Sequence, residues 1–236
     1  MRPSAHPPQG PTLRSAALAA VTVVVVTAAF AGALVGLGKT VPSVRANIQT
    51  VLALSIPLHA LLCLGALTVV RRRTGTSWAA LGVVRPTWRL LHVLWQIPLA
   101  LVAVLLTQGI VVLAMGGDDS PLRSSGKSAL IAGTPGFAIL AAFIGAAILT
   151  PLWEEIFFRG FILGALRRRG GAVVAVIGSA AVFALAHALP ILLPYLAVMG
   201  LCLALLRLFH RSVWGSLALH MTVNTLASTA LIAALM

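Results

Sequence analysis

Glu154 and Glu155 stand side by side inside an apolar stretch, LTPLWEEIFFRGFILGAL, in a chain of 236 residues that has four acidic residues in all. An ionised side chain at mid-bilayer depth costs about 2.5–3.5 kcal/mol on insertion scales, so a carboxylate kept there needs a partner or a task. Arg159 follows Glu155 at i,i+4, on the same helix face and with the acid on the favourable N-terminal side. Glu154 is turned about 100° away and need not share that cation. The spacing predicts one carboxylate neutralised locally and one left for other work. Pro151, just upstream, withholds an N–H and predicts a kink close to the acids. Two later apolar runs repeat the i,i+4 spacing: Phe183 and His187 in FALAH, His220 and Asn224 in HMTVN.

Peptide hydrolysis needs the parts these side chains supply. A buried carboxylate can take a proton from water, a role commonly worth about 10²–10⁴-fold. A histidine can hold that water or protonate the leaving amine. An asparagine and a second histidine can donate to the oxyanion, where one donor is typically worth about 10²–10³-fold. Each residue also has a plainer reading. A Glu–Arg pair can staple two helices together, and a single membrane histidine can be a hydrogen-bonded packing residue. Two histidines and an asparagine on separate helices, beside an acid pair, argue for chemistry.

The elements that must position this set are membrane helices. The chain is 60% hydrophobic and 9% charged, with a mean hydropathy of +1.04, where a soluble domain carries roughly 25% charged residues. Seven apolar segments are legible, at 15–37, 48–70, 90–115, 135–166, 172–189, 191–209 and 212–235. The longer ones suffice to cross about 30 Å of hydrocarbon at 1.5 Å per residue. The segment 191–209 is short and begins among Pro190 and Pro194, which leaves a re-entrant course open for it. The run 15–37 exceeds the roughly 7–15 residues of a signal-peptide core and reads as a retained helix. The expectation is an all-α polytopic bundle of about seven transmembrane helices, with a disordered tail at 1–14 holding four prolines, further membrane helices within 15–134 and a catalytic portion at 135–236. Gly32 with Gly36, and Gly160 with Gly164, read as close-packing positions.

The formal charge of +13 does not mark a nucleic-acid binder: the basic residues gather at the edges of apolar runs, and no zinc-finger, RNP or basic-helix pattern is present. Twelve of the 17 basic residues, including Arg71–Arg73, Arg167–Arg169, Arg207 and Arg211, fall in one set of alternate loops. Lys39, Arg45, Arg123 and Lys127 fall in the other, where Asp118 and Asp119 offset two of them. This bias predicts a cytoplasmic N-terminus and, with seven crossings, an external C-terminus, in the plasma membrane by default. Cys63 and Cys202 read as buried hydrophobes, and His59 and His92 as packing or interface residues. Measured from the arginine-rich ends, Glu154 lies about 18 Å deep, His187 about 26 Å and His220 about 14 Å, so three helices can surround one cavity.

Glu154-Glu155-x-x-x-Arg159, Phe183-x-x-x-His187 and His220-x-x-x-Asn224 resemble, in order and on separate segments, the EExxxR, FxxxH and HxxxN motifs of the CPBP family. That family includes CAAX prenyl endopeptidases and bacteriocin-processing or self-immunity proteins. The stretch WAALGVVRP at 78–86 also resembles a short segment that often precedes the domain. The resemblance implies an intramembrane endopeptidase acting on a membrane-associated or lipidated peptide or protein. It makes Glu154 the water-activating base working with His187, His220 and Asn224 the oxyanion site, and Glu155 with Arg159 the supporting pair. The family has been described both as metalloproteases and as metal-independent glutamic proteases. Two histidines and a glutamate can hold zinc, but HExxH is missing from this chain, and the expectation is a metal-free site without a cofactor. Two other readings use the same residues: a non-catalytic immunity or scaffold protein of this fold, and a transporter. Transporters often repeat their site residues in both halves, whereas here every membrane-embedded Glu and Arg falls between 154 and 159.

Overall fold

The computed structural model describes residues 10–116 and 134–233. Helices are α1 (Leu13–Thr40), α2 (Pro42–Ala46), α3 (Ile48–Arg73), α4 (Val93–Ala114), α5 (Gly136–Ile144), α6 (Thr150–Glu154), α7 (Leu163–Ala186), α8 (Leu193–His210) and α9 (Val213–Ala233). Among the described residues there are no strands, and the architecture is an all-α membrane bundle. Residues 1–9 of the expected tail, and Asp118, Asp119, Arg123 and Lys127, lie outside the described residues. Ordered helix begins slightly ahead of the expected 15: Thr12 caps α1 by accepting from the Ser15 N–H at 3.1 Å, and the Gly10 carbonyl accepts from Arg168 at 3.0 Å.

Among the described residues six stretches are long and apolar enough to cross a bilayer, one of them the 51-residue run Gly136–Ala186. That run folds back on itself. Gly171 takes φ +77° and ψ −169°, a backbone conformation that only glycine adopts readily. Residues either side of it then meet in antiparallel order: the Ser179 hydroxyl donates to the Phe158 carbonyl at 3.2 Å, and the Phe158 and Phe183 rings stand 5.1 Å apart. The 135–166 and 172–189 segments are therefore the two arms of a helical hairpin with Arg167–Arg169 at its tip. Segment 191–209 is continuous helix from Leu193, with Pro190 confined to a short 3₁₀ turn ahead of it.

The first arm is not a regular α-helix. A π-helical turn at Gly145–Leu149 precedes Pro151, and a second at Glu155–Ile162 carries the second acid and Arg159. Pro151 explains part of this. In the i→i−5 series the Thr150 N–H donates to the Gly145 carbonyl, and the next donor would be residue 151, which has no N–H. The Ala146 carbonyl is instead satisfied from another helix, by Asn224 Nδ2 of α9 at 2.9 Å. The expected kink takes the form of widened turns that flank the acids.

Glycine lets the arms pack at backbone distance. A Cβ on Gly145 would come within 2.7 Å of the Pro57 nitrogen in α3, and one on Gly200 within 2.9 Å of Ala180 Cα. The two GxxxG pairs behave differently from each other. Gly160 faces Leu81 and Gly164 faces Pro11, so this pair receives loop and tail segments rather than another helix, while Gly32 and Gly36 face open space.

Candidate active site

Four of the six expected residues form one contact network. Glu155 Oε1 lies 3.2 Å from Arg159 Nη1, the i,i+4 pair the spacing predicts, and both residues are fully buried, at 0% exposure. His220 reaches the same oxygen from α9, Nδ1 to Glu155 Oε1 at 3.1 Å. Its other nitrogen, Nε2, lies 3.5 Å from Glu154 Oε2. One imidazole thus stands between two carboxylates, and only one carboxylate meets the arginine.

Arg159 is held from three further sides. Its Nη2 donates to the Gly200 carbonyl of α8 at 3.2 Å, and its guanidinium lies 4.6 Å from the centroid of Phe183 and 5.8 Å from that of Phe158. The two rings bring α7 and the π-helical turn against the cation face-on, the geometry in which an aromatic quadrupole attracts it.

His187 occupies the C-cap of α7, half-buried, with its ring 4.7 Å from that of Phe183. Phe183 also packs 5.7 Å from the His220 ring, and so joins the two histidines. His187 Nδ1 lies 2.8 Å from the Phe183 carbonyl. A carbonyl can only accept, so Nδ1 carries the proton and, in the neutral ring, Nε2 presents a lone pair. His187 and His220 both lie within electrostatic reach of Glu154. Asn224, one turn beyond His220, is the member turned elsewhere, its amide committed to Ala146.

Among the described residues no three His, Cys, Asp or Glu side chains are grouped as metal ligands. His220 presents both ring nitrogens to carboxylates.

His59, read from the sequence as a packing residue, sits behind the site. It stacks edge-on against Trp153 at 6.1 Å and pairs with the Thr27 hydroxyl at 2.9 Å. His92 closes a short 3₁₀ turn ahead of α4, accepting from the Trp95 indole at 3.0 Å. The loop that carries WAALGVVRP closes over the network from the arginine-rich side. Leu81 is fully buried against Gly160, the Gly82 carbonyl accepts from the Val213 N–H at 3.0 Å, and the Val84 carbonyl accepts from the Trp214 indole at 2.6 Å.

This is an integral membrane protein whose bundle buries an acid pair, an arginine and a histidine in one network. A family model described as Type II CAAX prenyl endopeptidase Rce1-like matches residues 136–226, from the start of α5 into α9, and so takes in every residue of the three motifs. Over these residues the chain is similar to CAAX-type endopeptidases, in agreement with the CPBP motifs that its sequence resembles. No match was found among curated proteins or among solved structures.

Proposed function

We propose that the chain is an intramembrane endopeptidase in which Glu154 activates water to hydrolyse a peptide bond of a membrane-associated or lipidated substrate. The observation that carries this reading is the division of labour between the acids: Arg159 and His220 Nδ1 both engage Glu155, while Glu154 keeps one long contact and 8% exposure. Water held between the Glu154 carboxylate and the His187 Nε2 lone pair gives its proton to Glu154 as its oxygen attacks the carbonyl carbon. His220, anchored through Nδ1, points Nε2–H towards the developing oxyanion, and Asn224 adds a second donor on releasing Ala146. Glu154 then passes its proton to the leaving amine as the C–N bond breaks.

An apolar cavity of about 290 Å³ lined by Leu52, Ile56, Phe143, Ala146 and Ser228 abuts the Asn224 contact from the side away from the arginine-rich loops. It would receive an apolar part of the substrate. Asn224→Ala is expected to fold and to lose roughly 10²–10³-fold in kcat, the effect of one oxyanion donor. Detergent melts paired with cleavage of a membrane-anchored peptide would test it, and full activity in the variant would remove Asn224 from the site.

The site as proposed works without metal. Purified protein should keep its activity after prolonged treatment with a strong chelator; activity lost with a stoichiometric metal, and restored by it, would recast Glu154, His187 and His220 as ligands. The orientation proposed is a cytoplasmic N-terminus in the plasma membrane with Arg71–Arg73 and Arg167–Arg169 on the cytoplasmic side. A cysteine in place of Arg167 should then resist impermeant labelling from outside intact cells, and ready labelling would invert the topology.

A further inference from the structure

Arg14 stands in the first turn of α1 and Arg73 closes α3, and the two line one cavity of about 630 Å³ at the arginine-rich end of the bundle. Neither guanidinium is ion-paired or hydrogen-bonded to another described residue. The two carboxylates among the described residues, Glu154 and Glu155, are both taken up in the catalytic network. Their neighbour Arg71 is engaged differently. Its Nη1 donates to the Thr76 carbonyl at 3.3 Å, and its guanidinium lies 4.6 Å from the centroid of the Trp78 ring. Arg14 and Arg73 thus border a common space into which the described fold sends no counter-charge.

The walls of the cavity change character with depth. Leu18 and Val21 also line it, one and two turns along α1 from Arg14, about 6 and 10 Å deeper at 1.5 Å per residue. They are 41% and 60% exposed, open to the hydrocarbon. A ligand that matches both levels carries negative charge at the membrane surface and an apolar chain beneath it. That is the build of an anionic phospholipid, and basic recesses between membrane helices are where such headgroups bind. A free phosphate satisfies the arginines and leaves the apolar wall bare. Residues 1–9, which precede α1, hold Arg2 and no acidic residue, so they bring no counter-charge either. We propose that the recess between the start of α1 and the end of α3 binds an anionic phospholipid, its phosphate on Arg14 and Arg73 and one acyl chain along Leu18 and Val21. The bound lipid ties the two helices together where α3 gives way to the loop that covers the catalytic network. Thr74, at the wall of the recess, opens that loop through a 2.9 Å contact between its hydroxyl and that of Thr76. The site stands independently of the peptidase reading.

Binding of dioleoylphosphatidylglycerol to the full-length protein in detergent micelles, counted by native mass spectrometry, tests this, with dioleoylphosphatidylcholine as the zwitterionic control. The wild type should take up one phosphatidylglycerol ahead of any further lipid and hold it more tightly than phosphatidylcholine. Arg14→Gln combined with Arg73→Gln should weaken that first site by about 25-fold, roughly fivefold for each cation lost beside an anionic headgroup. Arg85→Gln combined with Arg169→Gln removes as much charge from exposed residues outside the recess, and should leave the first site as it is. Ala17→Trp fills the recess without touching its charges and should weaken binding too. Equal binding by the wild type and the Arg14–Arg73 variant would overturn the proposal. So would an equal loss in the Arg85–Arg169 variant, which would mean diffuse attraction to positive charge. Should the Arg14–Arg73 variant not fold, Ala17→Trp and the comparison of the two lipids on the wild type still decide. Equal affinity of the wild type for both lipids would overturn the site. Glycerol phosphate displacing the lipid at equal concentration would overturn it as well, since the apolar wall would then contribute nothing and the ligand would be a soluble phosphate.

Discussion

Glu155→Gln is expected to lower the stability of the bundle by about 3–5 kcal/mol, the cost of breaking a buried ion pair from one side. Glu155 Oε1 holds both Arg159 and His220, so the amide leaves a guanidinium at 0% exposure without its counter-charge and loosens the imidazole as well. Activity should fall with it, because His220 loses the anchor that aims Nε2. The pairing itself is tested by Arg159→Met and by the double variant. Removing both charges should cost clearly less than the sum of the single losses, since neither partner is then left uncompensated. Strict additivity in detergent melts would mean that the contact contributes nothing to the fold.

The second large effect falls on activity alone. Glu154→Gln keeps the shape of the side chain and a hydrogen-bonding oxygen towards His220 Nε2, and Glu154 is the less buried acid. Its melting temperature should stay near that of the wild type. Without the base, cleavage should drop by at least the roughly 10²–10⁴-fold that general-base catalysis contributes. The contrast with Glu155→Gln is the informative part: adjacent residues of one type, one variant stable and inactive, the other unstable as well as impaired. Normal cleavage by Glu154→Gln would favour a non-catalytic scaffold or immunity role for the same fold.

Much of this arrangement was legible in the sequence because its determinants are local. Hydropathy marked the apolar segments, and the i,i+4 spacing of Glu155 and Arg159 announced the ion pair that the structure shows at 3.2 Å. The break between the 135–166 and 172–189 segments was visible as the arginine run Arg167–Arg169. What stayed hidden depends on the register between helices. Nothing in HMTVN says that one imidazole would span both acids, because that requires α9 to lie at one particular height against the first arm of the hairpin. Pro151 promised a distortion, but not that the freed Ala146 carbonyl would be met by Asn224. The role of Gly82 was equally silent: a glycine in a loop becomes informative only when Arg207 is seen lying on it. The burial of Arg207 itself runs against its reading as a loop cation, since its apolar stem and the Leu81–Gly82 loop together seal it from solvent.

Membranes that hold this protein should contain peptide ends that Glu154 produced. Terminal proteomics of membranes from cells expressing wild type or Glu154→Gln, at matched protein levels, measures this. New termini present with the wild type and missing with Glu154→Gln, mapping to membrane-associated proteins, are the result the account predicts. Identical sets of termini would contradict it, as would termini that persist in the variant.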